Sequence, residues 1–261
     1  MKTTSPAYGS LGRVGVIVPP ANVTVEPEMV DLLPRGLSVI GTRLPGRVSD
    51  ETGIGLRERF IEYNRVLATV ADSFGGASLS ALGLACTGSC YLDGPKGDEK
   101  LCADLRAGGT HHVVTAAHAL KELIEALGRR RIGLVTPYPA WVTELAIAYW
   151  QASGFEVVHS LALPGVVSIY EVGTDAVVAT AREMMSRDTD LILLSGTGVP
   201  TVPAIEVLSQ MTPMPVISSN LGLAWWILRT LGIGLRESPS PALHALANWL
   251  PADASRGCKE R

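Results

Sequence analysis

Residues 13–21 of the chain read RVGVIVPPA, an apolar run closed by two prolines. The same pattern returns in residues 131–139, which read RIGLVTPYP. A second pair of stretches follows in the same order, ALGLACTG at residues 81–88 and LILLSGTG at residues 191–198. Short apolar runs of this kind are typical of buried strands in a parallel sheet. Because the two echoes recur in matching order and at nearly equal spacing, an internal duplication explains them better than chance.

Between these runs, strand-like segments alternate with amphipathic segments of helical length. The alternation is typical of βαβ units and predicts an α/β fold with parallel sheets. We predict strands at residues 14–18, 37–44, 78–85, 112–114, 131–136, 156–163, 191–194 and 215–218, and helices at 56–74, 99–106, 115–127, 141–152, 175–187 and 221–231. Gly128 is expected to end the helix at 115–127.

The duplication predicts two pseudo-symmetric, doubly wound halves that face each other. We assign residues 13–115 and the C-terminal tail, residues 233–261, to the first half. Residues 116–232 form the second half. The tail, which contains Pro239, Pro241 and Pro251, is expected to pack across the first half.

Composition and charge bound the possible functions. Of 261 residues, 47% are hydrophobic and 18% charged, which excludes a disordered or fibrous chain. The formal net charge is -3, so we expect no nucleic-acid partner. The chain lacks both a membrane-spanning apolar run of roughly 18 residues and a signal-peptide core near its start. We therefore expect a soluble cytoplasmic protein without a membrane partner, and whether it forms homo-oligomers stays open.

The cysteines are expected to be free thiols, since a chain without an export signal rarely uses disulfides; they are Cys86, Cys90, Cys102 and Cys258. A metal site is disfavoured, because Cys86 and Cys90 do not form a CxxC pair. The rings of His111 and His112 point apart on any regular element. Zinc sites need three or four convergent ligands, so we predict no metal.

Ligands of open parallel sheets bind in the crevice at the carboxyl ends of the strands. Four predicted strand ends meet there if the halves face each other: residues 19–22, 85–88, 136–138 and 195–198. These segments are rich in small and hydroxyl residues and contain no Arg or Lys. A carboxylate would then be held by backbone amides and hydroxyls, and the predicted donors are Thr87, Gly88, Thr197 and Gly198. Each turn taken alone is also consistent with ordinary βα turn chemistry.

Cys86 is the most specific candidate in this crevice. It follows a strand and precedes a Thr-Gly turn, where backbone N–H dipoles lower the pKa of a thiol and make it reactive. The alternative is a buried structural cysteine, an interpretation that we keep for Cys90 and Cys102. The phenol of Tyr138 either donates to a substrate oxygen or fills space, and His118 is expected to be a partly buried helix residue.

Three segments resemble the maleate cis–trans isomerases: VGVIVPPANVTVEPEM at residues 14–29, ACTGS at 85–89 and PVISSNLGLAW at 215–225. These enzymes belong to the Asp/Glu racemase superfamily, together with the arylmalonate decarboxylases. The resemblance implies a cofactor-independent enzyme with an interdomain active site for a small dicarboxylate. It also implies that Asn22 binds substrate, that Cys86 is the first-half nucleophile and that Tyr138 binds a carboxylate.

The chain departs from the family pattern in its second half. One cysteine from each half faces the substrate in the isomerases, but here the second position holds Gly196. The second asparagine is also missing, near Val166 or Val167. Arylmalonate decarboxylases use a single cysteine in the second half, so this chain has the mirror arrangement. Its double proline, Pro19-Pro20, is decarboxylase-like, whereas Asn22 is isomerase-like.

We predict an isomerase of the maleate cis–trans type, in which Cys86 adds to the alkene and an enediolate forms. Pro20 and Gly196 complete the predicted substrate-binding set. The alternatives are an arylmalonate decarboxylase-like lyase, with Cys86 as its single proton donor, and a carboxylate-binding protein without activity. Racemisation is disfavoured, because it needs an acid and a base on opposite faces of the substrate.

Overall fold

The computed structural model describes residues 7–46, 53–107, 109 and 112–251. Within them, Gly12–Val18 (β1), Leu37–Arg43 (β2), Ala81–Leu84 (β3) and Val113–Thr115 (β4) form one parallel sheet in the order β2-β1-β3-β4. A second parallel sheet repeats this order as β6-β5-β7-β8, from Arg131–Thr136 (β5), Glu156–Ala162 (β6), Leu191–Leu194 (β7) and Val216–Ser218 (β8). The predicted class, two similar α/β halves with parallel sheets, is confirmed.

The two sheets match each other in register as well as in strand order. In the first sheet, Val14 of β1 pairs with Ala81 of β3. In the second, Ile132 of β5 pairs with Leu191 of β7. These are equivalent positions of the two sequence echoes. The central strands β1, β3, β5 and β7 are buried because they pack between helices on both faces of each sheet, whereas the edge strands β2 and β6 are partly exposed.

Helices connect the strands and cover the sheets. They are Val25–Leu32 (α1), Gly53–Asp72 (α2), Thr87–Cys90 (α3), Gly94–Ala107 (α4), Ala116–Ala126 (α5), Ala140–Ala152 (α6), Thr174–Met185 (α7), Val202–Leu208 (α8), Ser219–Thr230 (α9) and Pro241–Trp249 (α10). The side chains of Thr115 and Ser218 cap α5 and α9, each accepting the N–H three residues on. Gly128 follows α5 with a φ of +64°, the backbone conformation of a helix stop.

Four helices, α1, α3, α8 and α10, were not predicted. α3 is a single turn of four residues, and the other three each carry a proline in their first turn, at Pro27, Pro203 and Pro241. Proline usually indicates a loop, but the N–H groups of a first helical turn have no partner within the helix, so proline is tolerated there. None of the described helices is long and apolar enough to cross a bilayer.

Helix α9 connects the second half to the first sheet: it contacts β3 and packs against α5, the helix that directly follows β4 of that sheet. The contact is close: a Cβ added to Gly83 would lie 2.8 Å from the Leu223 side chain. The tail touches both halves. Its Ser238 hydroxyl donates to the Leu32 carbonyl at 2.6 Å, while α10 contacts α8 and α9. Cys258 and His111 lie outside the described residues.

Candidate active site

A cavity of about 560 Å³ lies where the carboxyl ends of β1, β3, β5 and β7 converge. It is the crevice that the duplication predicted. Six predicted site residues line it: Asn22, Cys86, Thr87, Gly88, Tyr138 and Thr197. The other three, Pro20, Gly196 and Gly198, do not line it, and Pro19 takes the position expected of Pro20.

Hydrogen bonds between the halves hold the strand ends together. The Ser219 hydroxyl accepts from the Thr87 hydroxyl at 2.9 Å and from the Gly196 N–H at 3.1 Å. The Thr197 hydroxyl donates to the Ala85 carbonyl at 2.8 Å. The Cys86 and Gly196 turns therefore lie next to each other, as the pseudo-symmetric arrangement requires.

Cys86 follows β3 by two residues and is the N-cap of α3, with 5% of its surface exposed. Burial raises the pKa of its thiol above the usual value, although the side-chain and backbone hydrogen bonds of Ser89 and the charge of Arg59 act in the opposite direction. The expected lowering of this pKa is therefore wrong. Desolvation of the thiolate outweighs the dipoles of so short a helix.

The other cysteines of the described region are buried and free, as predicted. The Cys90 thiol donates to the Cys86 carbonyl at 3.2 Å, and burial raises its pKa well above the usual range. Cys102 lies on α4, away from the cavity lining. His118 is partly buried and faces Glu122 at 3.5 Å rather than the cavity.

The predicted carboxylate donors are partly used inside the protein. The hydroxyl protons of Thr87 and Thr197 go to Ser219 and Ala85. Gly198 offers its carbonyl to the Thr24 hydroxyl at 3.0 Å. The donors still suited to an incoming anion at this turn are the backbone N–H groups beside Cys86. Gly88 must stay small there, because an added Cβ would lie 2.7 Å from the Phe60 ring.

Asn22 is fixed by its own turn. Its Oδ1 accepts the N–H groups of Thr24 at 2.9 Å and Val25 at 3.2 Å, the start of α1. Its Nδ2 donates to the Thr197 hydroxyl at 3.3 Å. The carboxamide therefore reaches the cavity in one orientation, with Nδ2 towards the second half.

Tyr138 occupies the space beside Gly196. A Cβ added to Gly196 would lie 3.3 Å from the Tyr138 hydroxyl and 2.9 Å from Pro137, and the φ of Gly196 is +105°. Ser195, the residue before Gly196, hydrogen-bonds the Tyr91 hydroxyl at 2.9 Å. Burial raises the pKa of Tyr138 well above its usual range, so its phenol stays protonated. The Tyr138 phenol therefore lies next to Gly196, the position at which the isomerases carry their second cysteine.

Sequence reasoning missed one wall of the cavity. Helix α2 contributes Leu56, Arg59, Phe60 and Tyr63, which share one helical face. The sequence predicted only a helix over residues 56–74, and the signal for a site was the arginine on its apolar face. The segment after β6, residues 163–170, supplies a further wall that is mainly apolar.

Glu28 links the halves behind the cavity. Its carboxylate accepts the N–H groups of Thr201 at 2.6 Å and Val202 at 2.8 Å, and Nδ2 of Asn220 at 2.6 Å. Burial raises its pKa to about 7, although these donors favour the ionised form. The residue lies in the VEPEM stretch that carried the resemblance, but the sequence alone gave it no role.

Residues 14–243 match the family model described as arylmalonate decarboxylase. The chain belongs to the arylmalonate decarboxylase family. A maleate isomerase of Nocardia farcinica is 31% identical over 234 residues, covering 85% of this chain and 90% of that protein. An arylmalonate decarboxylase of Bordetella bronchiseptica is 28% identical over 235 residues, covering 88% and 95%. The predicted resemblance is confirmed, and the chain is an enzyme whose relatives are isomerases and a carboxy-lyase.

Solved structures of this family share the fold. A cysteine-to-serine variant of the N. farcinica maleate cis–trans isomerase, with a covalently bound succinylcysteine intermediate, has a TM-score of 0.77 and 26% identity, covering 90% of this chain and 98% of that one. An arylmalonate decarboxylase with glycine-to-cysteine and cysteine-to-serine substitutions, in its liganded form, has a TM-score of 0.73 and 25% identity. It covers 85% of this chain, which in turn covers 93% of it.

Proposed function

We propose that the protein is a cofactor-independent cis–trans isomerase that acts on a small maleate-type dicarboxylate through Cys86. The observation that carries the proposal is that Cys86 is the one cysteine among the described residues lining the interdomain cavity. The family relationship supports the substrate class, since the relative at 31% identity is a maleate isomerase.

The reaction needs a single nucleophile. The Cys86 thiolate adds to one alkene carbon, and the π electrons move onto the carboxylate of the neighbouring carbon as an enediolate. The central bond is then single and rotates. The enediolate next expels the thiolate and leaves the trans alkene, with no net transfer of protons or electrons. The isomerase variant has lost one cysteine to serine and still carries a succinylcysteine. One cysteine is therefore enough to form the covalent adduct there, which supports the addition step.

Neighbouring groups can stabilise the negative charge that develops. The Thr87 and Gly88 turn places backbone N–H groups beside the sulfur, and Tyr138 provides a protonated phenol in the same cavity. Asn22 would orient the substrate through its amide group. The charge of Arg59 favours the thiolate, which partly offsets the effect of burial on Cys86. In this proposal, Thr197 lines the site, whereas Pro20, Gly196 and Gly198 shape it from behind.

Decarboxylation is the second candidate, and the absence of a thiol at Gly196 favours it. A malonate-type substrate would place one carboxylate against the apolar wall, where desolvation promotes loss of CO₂. The electrons left behind form an enediolate on the remaining carboxylate. The Cys86 thiol would protonate its carbon, and the thiolate would regain a proton from water. The doubly substituted decarboxylase, which exchanges one cysteine position for another, supports such a relocation.

Incubation with maleate and with phenylmalonate separates the candidates. Formation of fumarate, followed by proton NMR, is expected from maleate and is abolished in Cys86→Ala. Cys102→Ala is the matched control, because Cys102 is buried outside the cavity lining. Release of CO₂ from phenylmalonate without fumarate formation would favour the decarboxylase. Thermal stabilisation by both compounds without turnover would indicate a binding protein instead.

A further inference from the structure

The α2 wall brings a positive charge into the cavity. Among the described lining residues, Arg59 is the only one that is basic or acidic. It is half-buried and lies on the helix face shared with Leu56, Phe60 and Tyr63. The wall therefore combines an apolar surface with one guanidinium.

The guanidinium lies near the reacting sulfur. Its charge acts on both the Cys86 thiol and the Tyr63 phenol. Tyr63 lies one helical turn beyond Arg59 on the face that lines the cavity, so the two side chains are neighbours along the wall. The guanidinium is a planar fork that matches a carboxylate.

The size of the cavity points to a ligand that reaches this wall. About 560 Å³ lies within the roughly 300–1,000 Å³ of ordinary small-molecule sites, and it exceeds what one carboxylate at the Cys86 turn would fill. The N–H groups at Thr87 and Gly88 come from the end of β3, whereas Arg59 comes from α2. The site thus offers two positions for anions, carried by different elements.

We propose that Arg59 binds the second carboxylate of the substrate and thereby selects dicarboxylates over their monoesters. This inference rests on the proposed function only in naming the ligand as the dicarboxylate substrate. The first carboxylate, next to the reacting carbon, lies at the amides beside Cys86. The second lies on the guanidinium, and the apolar atoms between them pack against Phe60.

The test measures binding rather than turnover, with succinate as an unreactive dicarboxylate and monomethyl succinate as the probe that lacks one charge. Isothermal titration of the wild type should give tighter binding of succinate by about 10- to 100-fold, the range of a charge-assisted hydrogen-bonded pair. Arg59→Met and Arg59→Gln should lose this preference. Arg65→Met is the matched control, since Arg65 is a solvent-exposed arginine on the same helix that pairs with Glu62.

Each outcome bears on the inference. If Arg59 only supported the helix through Tyr63, both variants would melt at lower temperature but keep the preference for succinate, which would overturn the proposal. A wild type that binds both probes equally, or neither, would overturn it as well. Arg59→Gln keeps a polar side chain beside Tyr63 and so serves if Arg59→Met fails to fold. Failure to turn over maleate alongside an Arg59-dependent preference would refute the isomerase and leave this inference standing.

Discussion

Replacing Glu28 with glutamine changes how the stability of the protein depends on pH. The carboxylate lies between the halves, and 4% of the residue surface is exposed. Its pKa rises from 4.5 to about 7 in the folded protein. Between these two pH values the folded state keeps a proton that the unfolded state has released. The wild type therefore loses stability as pH rises through this window, by roughly 3 kcal/mol in total.

Glutamine does not titrate, so the stability of Glu28→Gln does not fall in this way as pH rises. It introduces a different cost, because its amide directs an N–H group at one of the donors from Thr201, Val202 or Asn220. Leaving one buried donor unsatisfied costs about 1–3 kcal/mol at every pH. We expect the variant to be the less stable protein at pH 5 and to gain on the wild type by roughly 3 kcal/mol by pH 8.5.

Thermal unfolding at pH 5, 6, 7 and 8.5 measures this difference. For a chain of this size the gain corresponds to roughly 6–12 °C in the separation of the two Tm values. Asp31→Asn is the control, because Asp31 is an exposed carboxylate on the same helix. Other titrating groups cancel, since both proteins contain them. Parallel curves for wild type and Glu28→Gln would refute the reasoning and mean that the donors keep Glu28 ionised throughout.

Three further predictions concern the cavity. Cys86→Ser should lower kcat/KM for maleate by several orders of magnitude, because a hydroxyl is a far weaker nucleophile than a thiol, whereas Cys102→Ser should keep most of the activity. Burial holds the pKa of Cys86 above its usual value of 9, so isomerisation should rise by about tenfold per pH unit between pH 6 and 8; a flat profile would mean that the thiolate is already formed at pH 6 and would contradict the raised pKa. Gly196→Ala should cost roughly 1–3 kcal/mol and displace Tyr138, measured by denaturation and by KM. Gly76→Ala, with no atom within 4 Å of the added Cβ, should cost less, and equal losses would count against the strain at Gly196.

The sheets could be predicted from sequence because each central strand is buried on both faces and must be almost wholly apolar. Such runs are visible without knowledge of their neighbours, as β1 and β5 illustrate. The same logic located Cys86, Thr87 and Thr197, because chain connectivity brings the ends of parallel strands together. The helices with a proline in their first turn were missed, since proline indicates a loop until a capped helix start is seen.

Neither the position of Arg59 in the cavity nor the direction of the pKa shift of Cys86 could be derived from the sequence, and the reason is the same. Both depend on what packs against them from distant segments. The spacing of Leu56, Phe60 and Tyr63 shows that α2 has an apolar face, but not whether that face meets the core or a cavity. The sign of the thiol shift likewise follows from complete burial, which outweighs the local dipoles that a sequence reveals.

The pairing of α5 with α9 has a consequence for symmetry. A single half that closed its sheet by exchanging this helix with an identical copy would form a two-fold dimer. Such a dimer must carry the same residue at both strand ends facing the ligand. Joining the halves in one polypeptide removes that requirement, and here the two equivalent turns hold Cys86 and Gly196. The cleft thus has a reactive side and a passive side, a handedness that no assembly of identical halves could give a ligand.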